Sequence, residues 1–130
     1  MNINRIDNIG VAVSNVGAAL EFFSNVLGLE TATDDWGGGS VQVGNAWLYV
    51  FEGNRQAPRS AERGVDLQAN AVGIDHIALE VDDIEQAGRE LESKGVVFPG
   101  EITGEPGEFR YRGFQGPDGI MLYIIQQPTA

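Results

Sequence analysis

With 130 residues, 42% of them hydrophobic, the chain can form one domain or two small halves that share a core. Its 19 acidic and 8 basic residues leave a net charge of −11, which excludes the basic face that non-specific nucleic-acid binding requires. The lack of Cys removes disulfides, thiolate metal ligands and thiol nucleophiles, and no apolar run approaches the ~20 residues of a membrane span.

The N-terminal MNINRIDNIG carries no apolar signal-peptide core, so a cytoplasmic protein that engages no membrane is expected. An alternating strand follows, with Ile6, Ile9, Val11 and Val13 at its apolar positions. It runs into a helix whose apolar stripe is Val16, Leu20, Phe23 and Leu27, with Asn15 as N-cap and Gly28 as C-terminal stop. Strand-like segments at Leu29–Thr33, Ser40–Val43 and Ala46–Glu52 come next. The turn-prone Asp34-Asp35-Trp36-Gly37-Gly38-Gly39 separates the first pair and Gly44-Asn45 the second. A phosphate cradle built on the three glycines would need a helix start after it; none follows, so a flexible hairpin loop is predicted.

Residues 53–73 carry Arg55, Arg59 and Arg63, lack periodicity and read as a linker. The opening phrase is then spoken again. Ile74-Asp75-His76-Ile77-Ala78-Leu79 repeats Ile6-Asp7-Asn8-Ile9-Gly10-Val11 at a distance of 68 residues, with the chain's single histidine where Asn8 stands. Asp83 caps a second helix, with Gln86 three residues on and an apolar stripe of Ile84, Ala87 and Leu91, ending at Gly95. Strands are expected at Val96–Phe98, Phe109–Phe114 and Ile120–Gln126, the last two joined by Gly116-Pro117-Asp118-Gly119. The prediction is one α+β domain over residues 1–130, built of two βαβββ modules (4–52 and 74–127). Halves this small bury too little surface alone, so they are expected to pack on each other or on a second chain.

Three stretches in this order resemble the vicinal oxygen chelate superfamily of glyoxalases, bleomycin-resistance proteins and extradiol dioxygenases. They are Ile74 to Asp83, Ala19-Leu20-Glu21-Phe22-Phe23 with Val26-Leu27-Gly28-Leu29-Glu30, and Gly116 to Tyr123. The resemblance spans essentially the whole chain. It implies a cupped, incomplete eight-stranded barrel and a homodimer. In metal-dependent members the first strand of each module offers a His and the last a Glu to one divalent ion. Those positions here are Asn8, Tyr49, His76 and Tyr123. An amide oxygen is a weak ligand and a phenol with pKa ~10 is protonated at neutral pH, so no metal and no cofactor is expected.

Strand alternation sends Asn8, Trp47, Tyr49, Phe51, His76 and Tyr123 to one side and aliphatic residues to the other. Trp36, Tyr111, Phe109, Arg110 and Arg112 are candidates for the mouth of the cup, although packing or surface roles explain each equally well. Three functions then compete. The first is a metal-free binder of a planar, preferably cationic, small organic molecule, acting by sequestration or carriage, as in resistance proteins. The second is a metal-independent lyase or isomerase with His76 as catalytic general acid or base and Asn8, Tyr49 and Tyr123 as hydrogen-bond donors. The third, a metal-dependent lyase or dioxygenase, loses support with its ligands. The binder is favoured because only His76 titrates near neutral pH at the expected centre.

Overall fold

The computed structural model describes residues 4–6, 8–53 and 76–129. Nearly all of the expected linker, with its three arginines, lies outside them, as do Ile74 and Asp75. The chain divides into two compact units, residues 1–57 and 58–130. The fold is mixed α+β, with one open sheet in each unit.

In unit 1, β1 (Asn8–Val13) leads into α1 (Val16–Glu21), followed by β2 (Glu30–Thr33), β3 (Gly39–Val43) and β4 (Ala46–Glu52). The sheet order is β1-β4-β3-β2, with β1 and β4 parallel and the other pairs antiparallel. Asn15 caps α1 as expected, its side chain accepting from the Ala18 amide at 2.8 Å. The helix does not run evenly to Leu27, however. From Phe22 to Val26 it widens into a π-helical turn, and the two phenylalanines there meet edge to face at 5.7 Å. Phe23 is fully buried, alongside Leu20, Val11, Val13, Val41, Leu48 and Val50. These side chains form the core under the helix; burying each large one contributes about 1.5–3 kcal/mol. Gly28, at φ 70°, ends the segment as expected.

In unit 2, β5 (Ile77–Glu80) leads into α2 (Ile84–Ser93), followed by β6 (Arg110–Gln115) and β7 (Met121–Gln126). The order is β5-β7-β6, again with the first and last strands parallel. The Asp83 carboxylate accepts from the amides of Glu85 and Gln86, both at 3.1 Å. The Ile84 amide donates to Gln126 Oε1 at 2.8 Å, so the last strand helps to cap the helix. Among the described residues no helix is long and apolar enough to cross a membrane.

One expected strand does not form. Val96–Phe98 joins no ladder, and the sheet has three strands, with a single bridge between Thr103 and Tyr111 beyond them. The reason is the side chain of Phe98. It meets the buried Phe114 ring in a T-shaped contact at 5.4 Å, and the Arg112 guanidinium lies over the Phe98 ring at 4.0 Å. Arg112 also donates to the Gly100 carbonyl at 2.8 Å and to Glu92 of α2 at 3.3 Å. A cation that is bonded twice and stacked once holds this segment more firmly than a ladder edge would.

That arrangement makes Arg112 structural. We expect Arg112→Ala to destabilise the fold by about 1–3 kcal/mol in urea unfolding, and Arg112→Lys to recover little of it, because an ammonium cannot stack and fork as a guanidinium does.

Candidate functional site

Residues paired across a ladder share a face, so strand register decides which side chains meet. In unit 1, Asn8 lies opposite Trp47, Gly10 opposite Tyr49 and Ala12 opposite Phe51. On the other side of β4, Gln42 faces Trp47 and Ser40 faces Tyr49. The sheet side away from α1 thus carries Asn8, Trp47, Tyr49 and Phe51. Trp47 and Phe51 are 37% and 39% exposed, and Tyr49 is half-buried. Tyr49 and Phe51 stack at 6.0 Å with an angle of 22° between rings.

The Tyr49 hydroxyl is already engaged. It donates to Asp34 Oδ2 at 2.7 Å, while Asp34 Oδ1 accepts from the amides of Trp36 at 2.8 Å and Gly38 at 3.0 Å. The phenol fits only because residue 38 is glycine: a Cβ there would lie 2.6 Å from the Tyr49 oxygen and 2.9 Å from the Val50 carbonyl oxygen. The turn foreseen as a flexible loop is therefore a built one, with Gly38 and Gly39 buried. Trp36, a candidate for the mouth, projects from its tip with 87% exposure.

In unit 2, Tyr123 lies opposite Ala78 on one side and Gly113 on the other. Its ring rests directly over Gly113, where a Cβ would come within 2.9 Å. Four rings follow in a row on this side. His76 meets Tyr123 at 4.4 Å, Tyr123 meets Tyr111 at 5.9 Å, and Tyr111 meets Phe109 at 6.0 Å. Tyr123 is only 3% exposed, so it supports the row from beneath, while His76 and Tyr111 are half-buried and Phe109 is open. A cavity of about 220 Å³ beside the row is lined by Gly100, Glu101, Thr103, Tyr111, Arg112, Gly113 and Tyr123.

Of the two arginines expected at the mouth, Arg110 goes elsewhere, while Arg112 forms part of the cavity wall. Arg110 and Arg112 stand on the opposite face of β6 and reach α2, Arg110 bonding Glu85 and Arg112 bonding Glu92. The structure gathers His76, Tyr111 and Tyr123 in unit 2, and Asn8, Trp47, Tyr49 and Phe51 in unit 1. The role of Asp34 went unforeseen, as did the parts of Glu101 and Thr103 in the cavity wall. Asp34 carried a signal, since an Asx side chain at a turn start bonds amides two residues on; its tie to Tyr49 appears only once β3 and β4 are in register.

The hydrogen bonds explain the electrostatics. The bond from Tyr49, with those from Gly38 and Trp36, holds the Asp34 carboxyl below its usual range against some desolvation. The hydrogen bond to Asp34, helped by desolvation and by the charge of the carboxylate, pushes the Tyr49 phenol up. The donor set at the implied ligand positions is one imidazole, one amide and two phenols, one of which gives its proton to Asp34. That set does not fit a divalent ion, which wants carboxylate oxygen or imidazole nitrogen. Among the described residues no three His, Cys, Asp or Glu side chains cluster as a metal site would need.

This fold and register have relatives. The chain belongs to the Glyoxalase/Bleomycin resistance protein/Dioxygenase superfamily, whose family model matches residues 5–124. The uncharacterized protein YwbC of Bacillus subtilis (strain 168) is 31% identical over 130 residues, covering 95% of this chain and 98% of its own. Two solved structures share the fold. One is TnmS3, an antibiotic binding protein from Streptomyces sp. CB03234, at 22% identity and TM-score 0.72 over 99% of both chains. The other is lactoylglutathione lyase from Agrobacterium tumefaciens, at 17% identity and TM-score 0.71 over 97% of this chain and 96% of the lyase.

The Asp34–Tyr49 bond has a pH signature. Asp34 stabilises the fold as an anion, so its contribution is present above the ordinary carboxylate range and lost as pH falls through its lowered folded value. Tyr49 stabilises it as a neutral phenol, so its contribution holds below pH ~10 and is lost as pH rises through its raised folded value. Tyr49 should ionise late in an ultraviolet absorbance titration, and its step should move back toward ~10 in Asp34→Asn. An identical titration in that variant would contradict the bond.

Proposed function

We propose that this protein binds a planar small organic molecule against its aromatic side chains, without a metal, and sequesters or carries it. The observation that carries the reading is the row His76–Tyr123–Tyr111–Phe109 bordering a cavity of about 220 Å³. Each ring offers a π-face, and a stacked contact is worth about 0.5–1.5 kcal/mol beyond the area it buries. The net charge of −11 concentrates cations near the surface and favours a cationic ring over an anionic one. An antibiotic binding protein with the same fold, TnmS3, is consistent with this use. The ligand-binding residues proposed are Asn8, Trp36, Trp47, Tyr49 and Phe51 in unit 1 and, separately, His76, Tyr111 and Tyr123 in unit 2, where the row adds Phe109. The protein works as a homodimer in a reducing cytoplasm, a setting that a chain without cysteine suits.

His76 allows a second reading. Its ring lies 4.4 Å from that of Tyr123, so an imidazole and a phenol adjoin as an acid–base pair of a metal-independent lyase or isomerase would. Mutation separates the two. In the binder, Tyr111→Ala with Phe109→Ala should weaken proflavine, a planar cation, by about tenfold or more in a fluorescence titration. His76→Ala should cost roughly one hydrogen bond, about 1 kcal/mol. In an enzyme His76→Ala would instead cut turnover by ~10²–10⁴ with little change in affinity. Full affinity in the Tyr111/Phe109 double variant would place the ligand elsewhere.

Native mass spectrometry of the purified protein tests stoichiometry. We expect twice the 14.0 kDa chain mass and less than one divalent ion per chain after incubation with zinc or nickel. One tightly held ion per chain, removed only by chelator, would refute the metal-free reading.

A further inference from the structure

Asp34 and Gly38 belong to a turn, yet three independent features direct them at one phenol. Asp34 spends one carboxylate oxygen on two amides of its own turn and aims the other at Tyr49, 15 residues away. Gly38 has no Cβ, which leaves the gap that the Tyr49 oxygen occupies. Phe51 stacks on the same ring, so the phenol is held along its flank as well as at its tip. An ionised carboxylate only accepts hydrogen bonds, and a phenol has a single proton to give. The Tyr49 proton is therefore spent, and what its oxygen still offers is a lone pair.

The geometry points to Asp34 as a positioning residue that sets ligand specificity: by accepting the hydrogen bond of the Tyr49 hydroxyl, it leaves Tyr49 an acceptor only, so the face of unit 1 selects molecules that bring a hydroxyl or N–H donor to this ring. The inference rests on the binding function proposed above. It adds a directional polar demand to a surface otherwise suited to any flat ring. It also assigns the carboxylate a task that a turn alone would not require, since Oδ1 by itself satisfies both turn amides.

Two neutral flat probes isolate the effect: 2-naphthol, which carries a donor, and 2-methoxynaphthalene, in which a methyl group replaces the proton. Their affinities for the full chain are measured by fluorescence titration. Wild type should prefer 2-naphthol by about five- to tenfold, the span of one hydrogen bond. In Asp34→Asn, the amide oxygen can keep the Trp36 and Gly38 amides while its NH₂ turns to Tyr49. The phenol then accepts from residue 34 and releases its own proton toward the ligand, so the preference should vanish or invert. Tyr49→Phe should abolish the preference while leaving every turn bond in place, which keeps the test sound if Asp34→Asn is poorly folded. Circular dichroism establishes first that each variant is folded, so an unmoved ratio cannot arise from a general loss of structure. A preference that persists in both variants overturns the inference, and so does equal binding of both probes by wild type, although the binding function then stands. If neither probe saturates wild type while proflavine does, this inference is overturned and the binding function stands; if proflavine fails as well, the binding function fails too.

Discussion

Everything at the candidate site depends on the parallel pairing of the first and last strands in each unit. Gly10 lies opposite Tyr49, and Ala78 lies opposite Tyr123, at equivalent points of the two ladders. With side chains alternating every residue, that register sends Val11, Val13, Leu48 and Val50 under α1 and turns Trp47, Tyr49 and Phe51 away from it. A slip of one residue would bury the aromatic set and expose the aliphatic one. The loss of core burial forbids that slip, so the apolar side of the sheet specifies the chemistry of the other side. Small residues on the neighbouring strands complete the device: Gly10 and Ala12 lie beside Tyr49 and Phe51 and leave room for the rings.

The same neighbourhood is then finished in two ways. Tyr49 faces Ser40 across its ladder, and two residues before Ser40, in the turn that leads into β3, stands Gly38, whose carbonyl pairs with the Asp34 amide. Tyr123 faces Gly113, and two residues back along β6 stands Tyr111, whose carbonyl pairs with the Thr103 amide. Where unit 1 places a glycine and a carboxylate, unit 2 places an aromatic ring and a hydroxyl. One tyrosine is consequently tied at its tip by a charge-assisted hydrogen bond, while the other is flanked by rings and buried. Equivalent backbone positions have taken unlike tasks: Tyr49 is a half-exposed polar contact, and Tyr123 is the floor of an aromatic row.

All the expected strands but one, the two helix starts and both helix caps are legible because each rests on short-range signals: period-2 and period-3.6 patterns, Asn15 and Asp83, Gly28 and Gly95. The division of each sheet into aliphatic and aromatic sides was legible for the same reason. Val96–Phe98 was misread because three apolar residues carry no periodicity, and what decides their conformation is Arg112, stacked on Phe98 from another strand. The π-helical turn at Phe22–Val26 left no mark that the helical stripe could show. Asp34 could be seen as a turn residue but not as a partner of Tyr49, since strand register brings them together across a separation of 15. Arg110 is expected at the mouth by its charge, whereas alternation along β6 turns its side chain toward α2; Arg112 turns the same way but still forms part of the cavity wall.

An aromatic surface by itself discriminates poorly. Stacking of about 0.5–1.5 kcal/mol per ring rewards any flat partner, and long-range attraction by net charge sorts ligands only by sign. Selectivity needs a group whose hydrogen-bonding sense is fixed before the ligand arrives, because a buried mismatch costs more than a match gains. A free hydroxyl cannot do this, since it rotates to donate or accept as required. Tying a phenol to a carboxylate removes that freedom. On the proposed reading, the Asp34–Tyr49 pair would add a fixed polar direction to the face of unit 1 that carries Trp47 and Phe51. Evolution can alter that direction by changing residue 34 without disturbing the core beneath the sheet.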